Sequence, residues 1–206
     1  MNITSKTIID FKPISPMFGD LFGDRDPIAV AKHLEQKGIL GISVVTREQD
    51  FGGSIDLLRR LRKAVRLPIL RKDFVTCEND LHITKEYCAE GILLICSLTP
   101  NIDKLYEKSL SLGLKPVVEV HTEKEMHLAK KLGAKIIGIN NKDITGLEKD
   151  NGTTTRTLEL IKLAPKDSFV ISESGIQNNT DAQAVLEAGA NAVLIGTAFW
   201  KGNLKI

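Results

Sequence analysis

Residues 116–139, PVVEVHTEKEMHLAKKLGAKIIGI, contain the unit that decides the fold. A short apolar run at 116–120 is followed by an amphipathic segment at 123–132, which ends at Gly133, and by a second apolar run at 136–139. Nearly continuous apolar runs are expected for parallel strands covered on both faces, and glycine is a favoured helix stop. The stretch therefore predicts a strand, a helix and a second strand joined by a right-handed crossover.

The same alternation extends along the chain. Apolar runs predict eight strands, at 7–11, 41–45, 68–70, 92–95, 116–120, 136–139, 169–172 and 192–195. Helical patterns are found between them at 28–36, 54–65, 103–112, 123–132 and 180–188, the first after an Asp-Pro pair typical of a helix start. An open doubly wound sheet would more often have about five or six strands and a glycine-rich nucleotide loop after the first. The pattern therefore predicts an α/β fold, a (β/α)₈ TIM barrel formed by a single domain over residues 1–206.

Composition and charge exclude several classes of protein. The 28 basic and 26 acidic residues give a net charge of +2 and form no basic arm or patch for nucleic acid or a membrane surface. No apolar run approaches the ~18 residues of a membrane span, and no secretory signal is found, so we expect a cytoplasmic protein. Cys77, Cys88 and Cys96 lack metal-ligand spacing and are expected to be free thiols, with Cys88 and Cys96 buried.

Polar and ionisable side chains recur where the predicted strands end. Any one of them is as easily explained as a solvated loop residue, but active sites of barrels lie at the carboxyl ends of the strands, and burial of charge there is costly. Chance is a poor account of five such residues at five strand ends. The candidates are Lys12, Lys72, Glu119, Asn140 and Glu173. His121 has no partner at metal-ligand spacing, so no metal is expected.

Two turns near the end of the chain are candidates for binding phosphate. Ser174 and Gly175 follow strand seven, and Gly196 and Thr197 follow strand eight. Phosphate is often bound after these two strands in barrels, because backbone N–H groups point at the anion and glycine allows close approach. Either turn alone could be merely structural, but the pair predicts a phosphorylated small-molecule substrate. The polar, glycine-containing loop at 145–152 is expected to lie over this site.

Several blocks resemble the indole-3-glycerol-phosphate synthase family of tryptophan biosynthesis. They include KPISP at 12–16, LPILRKDF at 67–74, VEVH at 118–121, GINNKD at 138–143 and SESGI at 172–176. The resemblance runs in consistent order from about residue 9 to residue 199. LRKDF and GINN are the blocks most specific to this family, whereas the Ser-Gly and Gly-Thr turns occur in many barrels.

The resemblance implies a reaction and a set of roles. Carboxyphenylamino-deoxyribulose 5-phosphate would lose CO₂ and water to give indole-3-glycerol phosphate, with no metal or organic cofactor. Lys72 would be the general acid at the ketone, and Lys12 would hold the substrate carboxylate and assist proton transfer. Glu119 and Glu173 would serve dehydration and the final deprotonation, in an order left open, and Asn140 would orient a hydroxyl.

The resemblance also implies the residues that hold the two ends of the substrate. The phosphate would lie near Ser15, Ser174, Gly175, Gly196 and Thr197. The aromatic ring would occupy an apolar slot, although ordinary core packing explains Leu93 nearly as well. The residues of the slot are Pro16, Phe51, Phe74, Leu93 and Ile144.

The sequence departs from the family in three respects. Asp10 stands where a glutamate is usual, and Pro13 where an arginine is usual; a shorter carboxylate could loosen the geometry of Lys12 and Lys72. The usual helices before strand one are missing, and 197–206 is too short for a full closing helix. We expect apolar surface between the first and last units, covered by a second copy or another tryptophan-pathway enzyme, or else reduced stability.

Two alternatives to the synthase differ in what they require. A sister barrel such as phosphoribosylanthranilate isomerase would need a cysteine–aspartate pair at strand ends one and six, which this sequence lacks. A catalytically impaired barrel that binds a phosphorylated ligand or scaffolds a partner enzyme is favoured by the missing terminal segments. It is disfavoured because the five strand-end residues are all present.

Overall fold

Strands and helices alternate throughout the computed structural model, which describes residues 3–147, 152–204 and 206. The barrel strands are β1 Thr7–Phe11, β2 Gly41–Val45, β3 Ile69–Lys72, β4 Gly91–Ile95, β5 Lys115–Val120, β6 Ile136–Asn140, β7 Phe169–Glu173 and β8 Ala192–Ile195. The helices are α1 Pro27–Lys37, α2 Ile55–Ala64, α3 Glu78–Glu86, α4 Ile102–Ser111, α5 Glu123–Lys131, α6 Thr155–Leu160, α7 Asn179–Glu187 and α8 Thr197–Trp200. A short hairpin, Ile14–Ser15 with Gly19–Asp20, follows β1.

Within the described residues, eight parallel strands close into one barrel. Each strand pairs with the next in the chain, and β1 pairs with β8, which places Thr7 opposite Val193 and Ile9 opposite Ile195. The predicted (β/α)₈ barrel is thus confirmed. Three strands differ from their predicted bounds at the carboxyl end, because ladder pairing continues through polar residues. Lys72, Asn140 and Glu173 consequently lie inside strands.

The alternation of side chains along each strand separates an inner core from an outer core. The lower part of the barrel interior, away from the carboxyl ends of the strands, is filled by apolar side chains. They include Ile8, Leu70, Leu93, Val117 and Ile171. The residues between them on each strand point outward and pack under the helices in two further clusters. Because the lower interior is closed by apolar side chains, the polar residues of the same inward-facing rows lie together at the carboxyl end.

The five predicted helices are all present, and each end lies within one residue of its predicted position. The side chain of Asp26 accepts hydrogen bonds from the N–H groups of Ile28 and Ala29, and Pro27 begins α1, as the Asp-Pro pair predicts. Helices α3 and α6 were not predicted. Helix α3 buries only Leu81 and Thr84, and α6 has six residues, so neither presents a clear apolar stripe.

The closure between β1 and β8 is filled by aromatic side chains. Trp200, the last residue of α8, is 2% exposed and donates a hydrogen bond from Nε1 to the carbonyl of Asp10 at 2.7 Å. Its ring packs edge-on against Phe11 and beside Phe22. The short final helix is confirmed, but the closure is not the apolar surface that we expected. Exposed apolar side chains lie instead on the neighbouring hairpin, at Ile14, Met17 and Phe18.

The three cysteines are free thiols, as predicted. The expected burial of Cys88 is wrong: Cys88 is exposed in the turn after α3, where its φ of 56° is in the left-handed region. Cys96 is partly buried. Burial raises the pKa of the Cys96 thiol to about 12, with nearby Glu125 and Glu119 acting in the same direction.

Candidate active site

Four of the ionisable side chains predicted from strand ends meet around Lys72 at the carboxyl end of the barrel. The Lys72 ammonium nitrogen lies 3.5 Å from Glu119 Oε2 and 3.7 Å from Glu173 Oε2. Both glutamates are completely buried, and Lys72 is 9% exposed. Lys12 is also buried and lines the same cavities as Lys72. Strands β1, β3, β5 and β7 thus bring together groups that are far apart in the sequence.

The position of the Glu173 carboxylate depends on the absence of a side chain on the neighbouring strand. A Cβ at Gly138 of β6 would lie 2.0 Å from Glu173 Oε1 and 3.0 Å from its Cδ. Ordinary van der Waals contact begins near 3.4 Å, so any larger residue would displace the carboxylate. Gly138 therefore provides the space that Glu173 occupies. Two residues after Gly138, at the end of the segment GIN, the same strand carries the polar side chain of Asn140.

Asn140 and Asn141 are adjacent in the sequence but differ in their surroundings. The Asn140 side chain accepts a hydrogen bond from the backbone of Lys142, while its Nδ2 is buried and, within the described residues, has no hydrogen-bond partner. Asn141 Nδ2 instead donates to Ser172 Oγ and to the carbonyls of Glu173 and Ser174. Asn140 is thus able to donate to a ligand, whereas Asn141 holds the turn after β7.

The two turns predicted to bind phosphate lie on one polar cavity. This cavity, of about 180 Å³, is lined by Ser174, Gly175, Gly196 and Thr197, together with Lys12 and Lys72. Ser174 has a φ of 61° and Gly175 a φ of 68°, so the chain turns sharply at the cavity wall. Ser15 does not line the cavity; its hydroxyl accepts a hydrogen bond from Met17 N.

Two lysines of the polar cavity were missed by sequence reasoning. Lys142 and Lys201 both line it. Lys201 also lies over the Phe18 ring, 3.9 Å from its centroid, and so connects the end of α8 to the hairpin after β1. Lys142 follows the Asn-Asn pair directly, which was a usable signal. Lys201 follows a four-residue helix that no sequence pattern marks.

The predicted apolar slot is a second cavity, on the opposite side of Lys72. Its wall contains Phe51, Phe74, Leu93 and Ile144, four of the five residues expected there. The fifth, Pro16, does not line it and lies in the turn of the hairpin. The Lys12 ammonium group is 5.5 Å from the centroid of the Phe51 ring, at the cavity edge. The slot thus combines aromatic faces with a cation at one end.

Three residues line both cavities: Asp10, Lys12 and Lys72. A ligand that has a phosphate at one end and a ring at the other would therefore pass these three groups. Asp10, 4% exposed, lies beside Gly196, where a Cβ would approach the Asp10 Cβ to 3.3 Å. The loop predicted at 145–152 lies partly outside the described residues, at 148–151. Its end at Gly152 lies against Gly175.

Arg71 points away from the site and holds the outside of the barrel together. Its guanidinium donates hydrogen bonds to Thr46 Oγ1, to the carbonyl of Asp80 and to Asp73 Oδ2. Neighbouring residues of a strand face opposite sides, which explains why Arg71 is structural while Lys72 enters the site.

His121 was set aside in the sequence but lies directly behind Glu119. Its Nε2 is 3.4 Å from Glu119 Oε1, and its Nδ1 is 3.5 Å from Glu125 Oε2. The backbone N–H of His121 also donates to Glu125 Oε2 at 2.6 Å. Burial raises the pKa of the Glu125 carboxyl, but the hydrogen bonds and charge of His121 outweigh burial, so that the pKa is lowered overall. No group of three metal-ligating side chains occurs within residues 3–147, 152–204 and 206.

A closed parallel barrel with ionisable side chains gathered at the carboxyl ends of its strands defines the class of (β/α)₈-barrel proteins. The fold is similar to that of an N-acetylmannosamine-6-phosphate 2-epimerase from Clostridium perfringens, with a TM-score of 0.72 and 16% identity over 95% of this chain and 88% of the epimerase. The family model of indole-3-glycerol phosphate synthase matches residues 2–204. The chain belongs to this family.

Individual members of the family are similar over nearly the whole chain. The indole-3-glycerol phosphate synthase of Pyrococcus furiosus is 40% identical over 195 residues, which cover 94% of this chain and 85% of the relative. That of Dehalococcoides mccartyi is 39% identical over 198 residues, with 94% and 75% covered. The resemblance seen in the sequence is thereby confirmed. Of the described helices, none is long and apolar enough to cross a membrane.

Proposed function

We infer that this protein is an indole-3-glycerol-phosphate synthase, which closes 1-(2-carboxyphenylamino)-1-deoxyribulose 5-phosphate to indole-3-glycerol phosphate with loss of CO₂ and water. One observation supports this function above the others: a polar cavity and an apolar cavity meet at Asp10, Lys12 and Lys72. The substrate has the matching form, with a phosphate at one end, an aromatic ring at the other and the reacting ketone between them.

Lys72 is the proposed general acid. It lies where the two cavities meet, and the carboxylates of Glu119 and Glu173 hold its ammonium nitrogen from two sides. An acid at this point can donate a proton to the ketone oxygen as the new carbon–carbon bond forms, and later to the departing hydroxyl. Lys12, at the edge of the apolar slot, is proposed to hold the carboxylate on the aromatic ring until it leaves as CO₂.

The two buried glutamates are proposed to take part in dehydration and in the final deprotonation that makes the ring aromatic. Both are adjacent to Lys72, so either can accept a proton near the reacting carbons. Asn140 is proposed to orient a substrate hydroxyl, because its buried Nδ2 has no hydrogen-bond partner within the described residues. Asp10 is proposed to fix the relative positions of Lys12 and Lys72, since it lines both cavities with them.

The substrate phosphate is proposed to bind the turns after β7 and β8. Backbone N–H groups at Gly175 and Thr197 and the charges of Lys142 and Lys201 support this placement. Ser15 remains a proposed contact near the phosphate, and Pro16 a proposed contact of the aromatic ring. Neither residue lines the corresponding cavity in this structure. The cytoplasmic location remains a prediction. So does a partner, either a second copy or another tryptophan-pathway enzyme, which sedimentation would test.

The test is fluorescence-monitored formation of indole-3-glycerol phosphate by the wild-type protein and by Lys72→Ala. We expect turnover in the wild type and a loss of at least about 10²-fold in the variant, because the proton donor is removed. Lys115→Ala is the matched control, since Lys115 begins β5 at the opposite end of the barrel and is exposed; it should keep wild-type turnover. Tight substrate binding by a folded wild-type protein without turnover would refute this function and favour the impaired, ligand-binding barrel.

A further inference from the structure

The proposed reaction consumes one proton in each turnover. One proton converts the ketone oxygen to a hydroxyl, and a second converts that hydroxyl to departing water. The base recovers one proton when the ring becomes aromatic. The carboxylate leaves as neutral CO₂ and returns none, so one proton must enter from solvent before the next turnover. Because Lys72 lines both cavities, a ligand that fills them would cover it, and a proton could then reach Lys72 before product leaves only by a second route.

The described residues contain such a route, from the site to the outside of the barrel. Lys72 Nζ is 3.5 Å from Glu119 Oε2, and the other oxygen of that carboxylate, Oε1, is 3.4 Å from His121 Nε2. His121 Nδ1 in turn is 3.5 Å from Glu125 Oε2. Contacts of this length become hydrogen bonds with a small rotation of the imidazole, and the hydrogen bonds of active sites commonly tighten when substrate binds.

The outer end of this chain of contacts lies at the wall of a third cavity. His121 lines a polar cavity of about 510 Å³ between the start of α5 and α6, which is distinct from the two cavities around Lys72. The His121 side chain is 10% exposed, and that of Glu125 is 17% exposed, whereas Glu119 has no exposed surface. Both ring nitrogens of His121 are buried in this position, so the imidazole has to turn towards the cavity to exchange a proton with water.

We propose that His121 carries the solvent proton that the reaction consumes inward to Lys72 through Glu119, a role that rests on the proposed function. The imidazolium gives its Nε2 proton to the Glu119 carboxylate at Oε1, and the Glu119 carboxyl then gives a proton to the neutral Lys72 amine and returns to the carboxylate. The imidazole keeps its Nδ1 proton, turns towards the cavity that it lines and takes a proton from water at the freed Nε2. Each step moves one proton, no bond between heavy atoms changes, and the sum replaces the proton used in dehydration. His121 acts through Glu119 rather than on the substrate.

Most of the ionisable groups around His121 are acidic. Carboxylates face it from β5 and from α5, and a further carboxylate near the end of β6 interacts with it electrostatically. The wall of the cavity that it lines contributes one cation and two more acids. The ionisable groups around it are Glu119, Glu123, Glu125, Asp143, Arg156 and Glu159, with the Cys96 thiol near Glu125. An imidazole ring in these surroundings is a side chain that can both accept and donate a proton.

The test compares His121→Ala and His121→Gln with the wild-type enzyme. His121→Gln keeps a side chain that can hydrogen-bond Glu119 but cannot change its protonation. We expect kcat to fall about 10- to 100-fold in both variants, with KM unchanged, because proton return becomes limiting while substrate contacts are intact. Imidazole in the buffer should raise kcat of His121→Ala in proportion to its imidazolium concentration, since the open cavity admits it, and should leave the wild type unaffected.

His127→Ala is the matched control, because His127 lies on the same helix, α5, but is exposed and contacts only the Glu123 carbonyl among the described partners. It should show wild-type kcat with no response to imidazole. Thermal unfolding of each variant checks that the barrel is folded. Wild-type kcat in His121→Gln, or a loss in folded His121→Ala that imidazole does not relieve, would overturn the relay alone. An inactive wild-type protein would instead refute the proposed function, and the relay with it.

Discussion

Replacement of Gly138 by alanine tests how the site is assembled. The added Cβ would lie 2.0 Å from Glu173 Oε1, so the carboxylate must withdraw by more than about 1 Å to reach ordinary contact. Glu173 is completely buried, which leaves few alternative rotamers without strain. Overpacking of this kind costs about 1–3 kcal/mol of stability. A shift of about 1 Å in a group beside the reacting atoms lowers kcat by about 10²-fold.

The assays are chemical denaturation and the fluorescence assay of turnover. Gly41→Ala is the matched control, because its Cβ would lie 2.9 Å from the Pro68 carbonyl at the opposite end of the barrel. It should lose stability but keep kcat. A double variant with Glu173→Ala should remove the stability penalty of Gly138→Ala, since the contacting carboxylate is gone. Wild-type stability and kcat in Gly138→Ala, or an equal penalty in the double variant, would refute the steric argument.

Two further predictions concern groups whose pKa is shifted. Burial raises the pKa of Cys96 to about 12, whereas Cys77 is exposed. Iodoacetamide at pH 8 should therefore label Cys77 well before Cys96, as followed by mass spectrometry. Equal labelling rates would contradict this prediction. The Thr145 hydroxyl and backbone lower the pKa of Asp143 below its ordinary value of 3.8. This stabilisation is present above pH 3.8 and is lost as pH falls through the lowered pKa. Thr145→Val should therefore have a lower melting temperature than the wild type at pH 6, and the two melting temperatures should converge in stronger acid. A difference that stays constant with pH would refute the linkage.

The barrel could be predicted from the sequence because its strands are buried on both faces. Runs such as 92–95 and 192–195 are apolar throughout, as expected for parallel strands covered on both sides, and they alternate with helical segments. The gathering of Lys72, Glu119 and Glu173 followed from the rule that sites lie at the carboxyl ends of strands. Helices α3 and α6 were missed because neither buries enough apolar side chains to mark its face.

The surroundings of the site could be predicted less well, because they depend on which side chains meet across strands. Gly138 gave no sign that its missing Cβ makes room for Glu173, thirty-five positions later. His121 was judged for metal-ligand partners only, although Glu119 and Glu125, two residues before and four after, were visible. Lys201 and Trp200 follow no pattern that distinguishes them from a disordered end of the chain. Their contacts with Phe18 and Asp10 arise only when the barrel closes.

The hydrogen bond from Trp200 to the Asp10 carbonyl joins residues 190 positions apart, and this has a consequence for biosynthesis. Strand β1 leaves the ribosome before the other barrel strands, while its neighbour β8 and the indole of Trp200 emerge after all of them. Until β8 has emerged, β1 can pair with β2 but its other edge stays open. Contacts of such long sequence separation form slowly, and open strand edges are sites of aggregation. The nascent chain therefore keeps an open strand edge until the eighth strand and Trp200 have emerged.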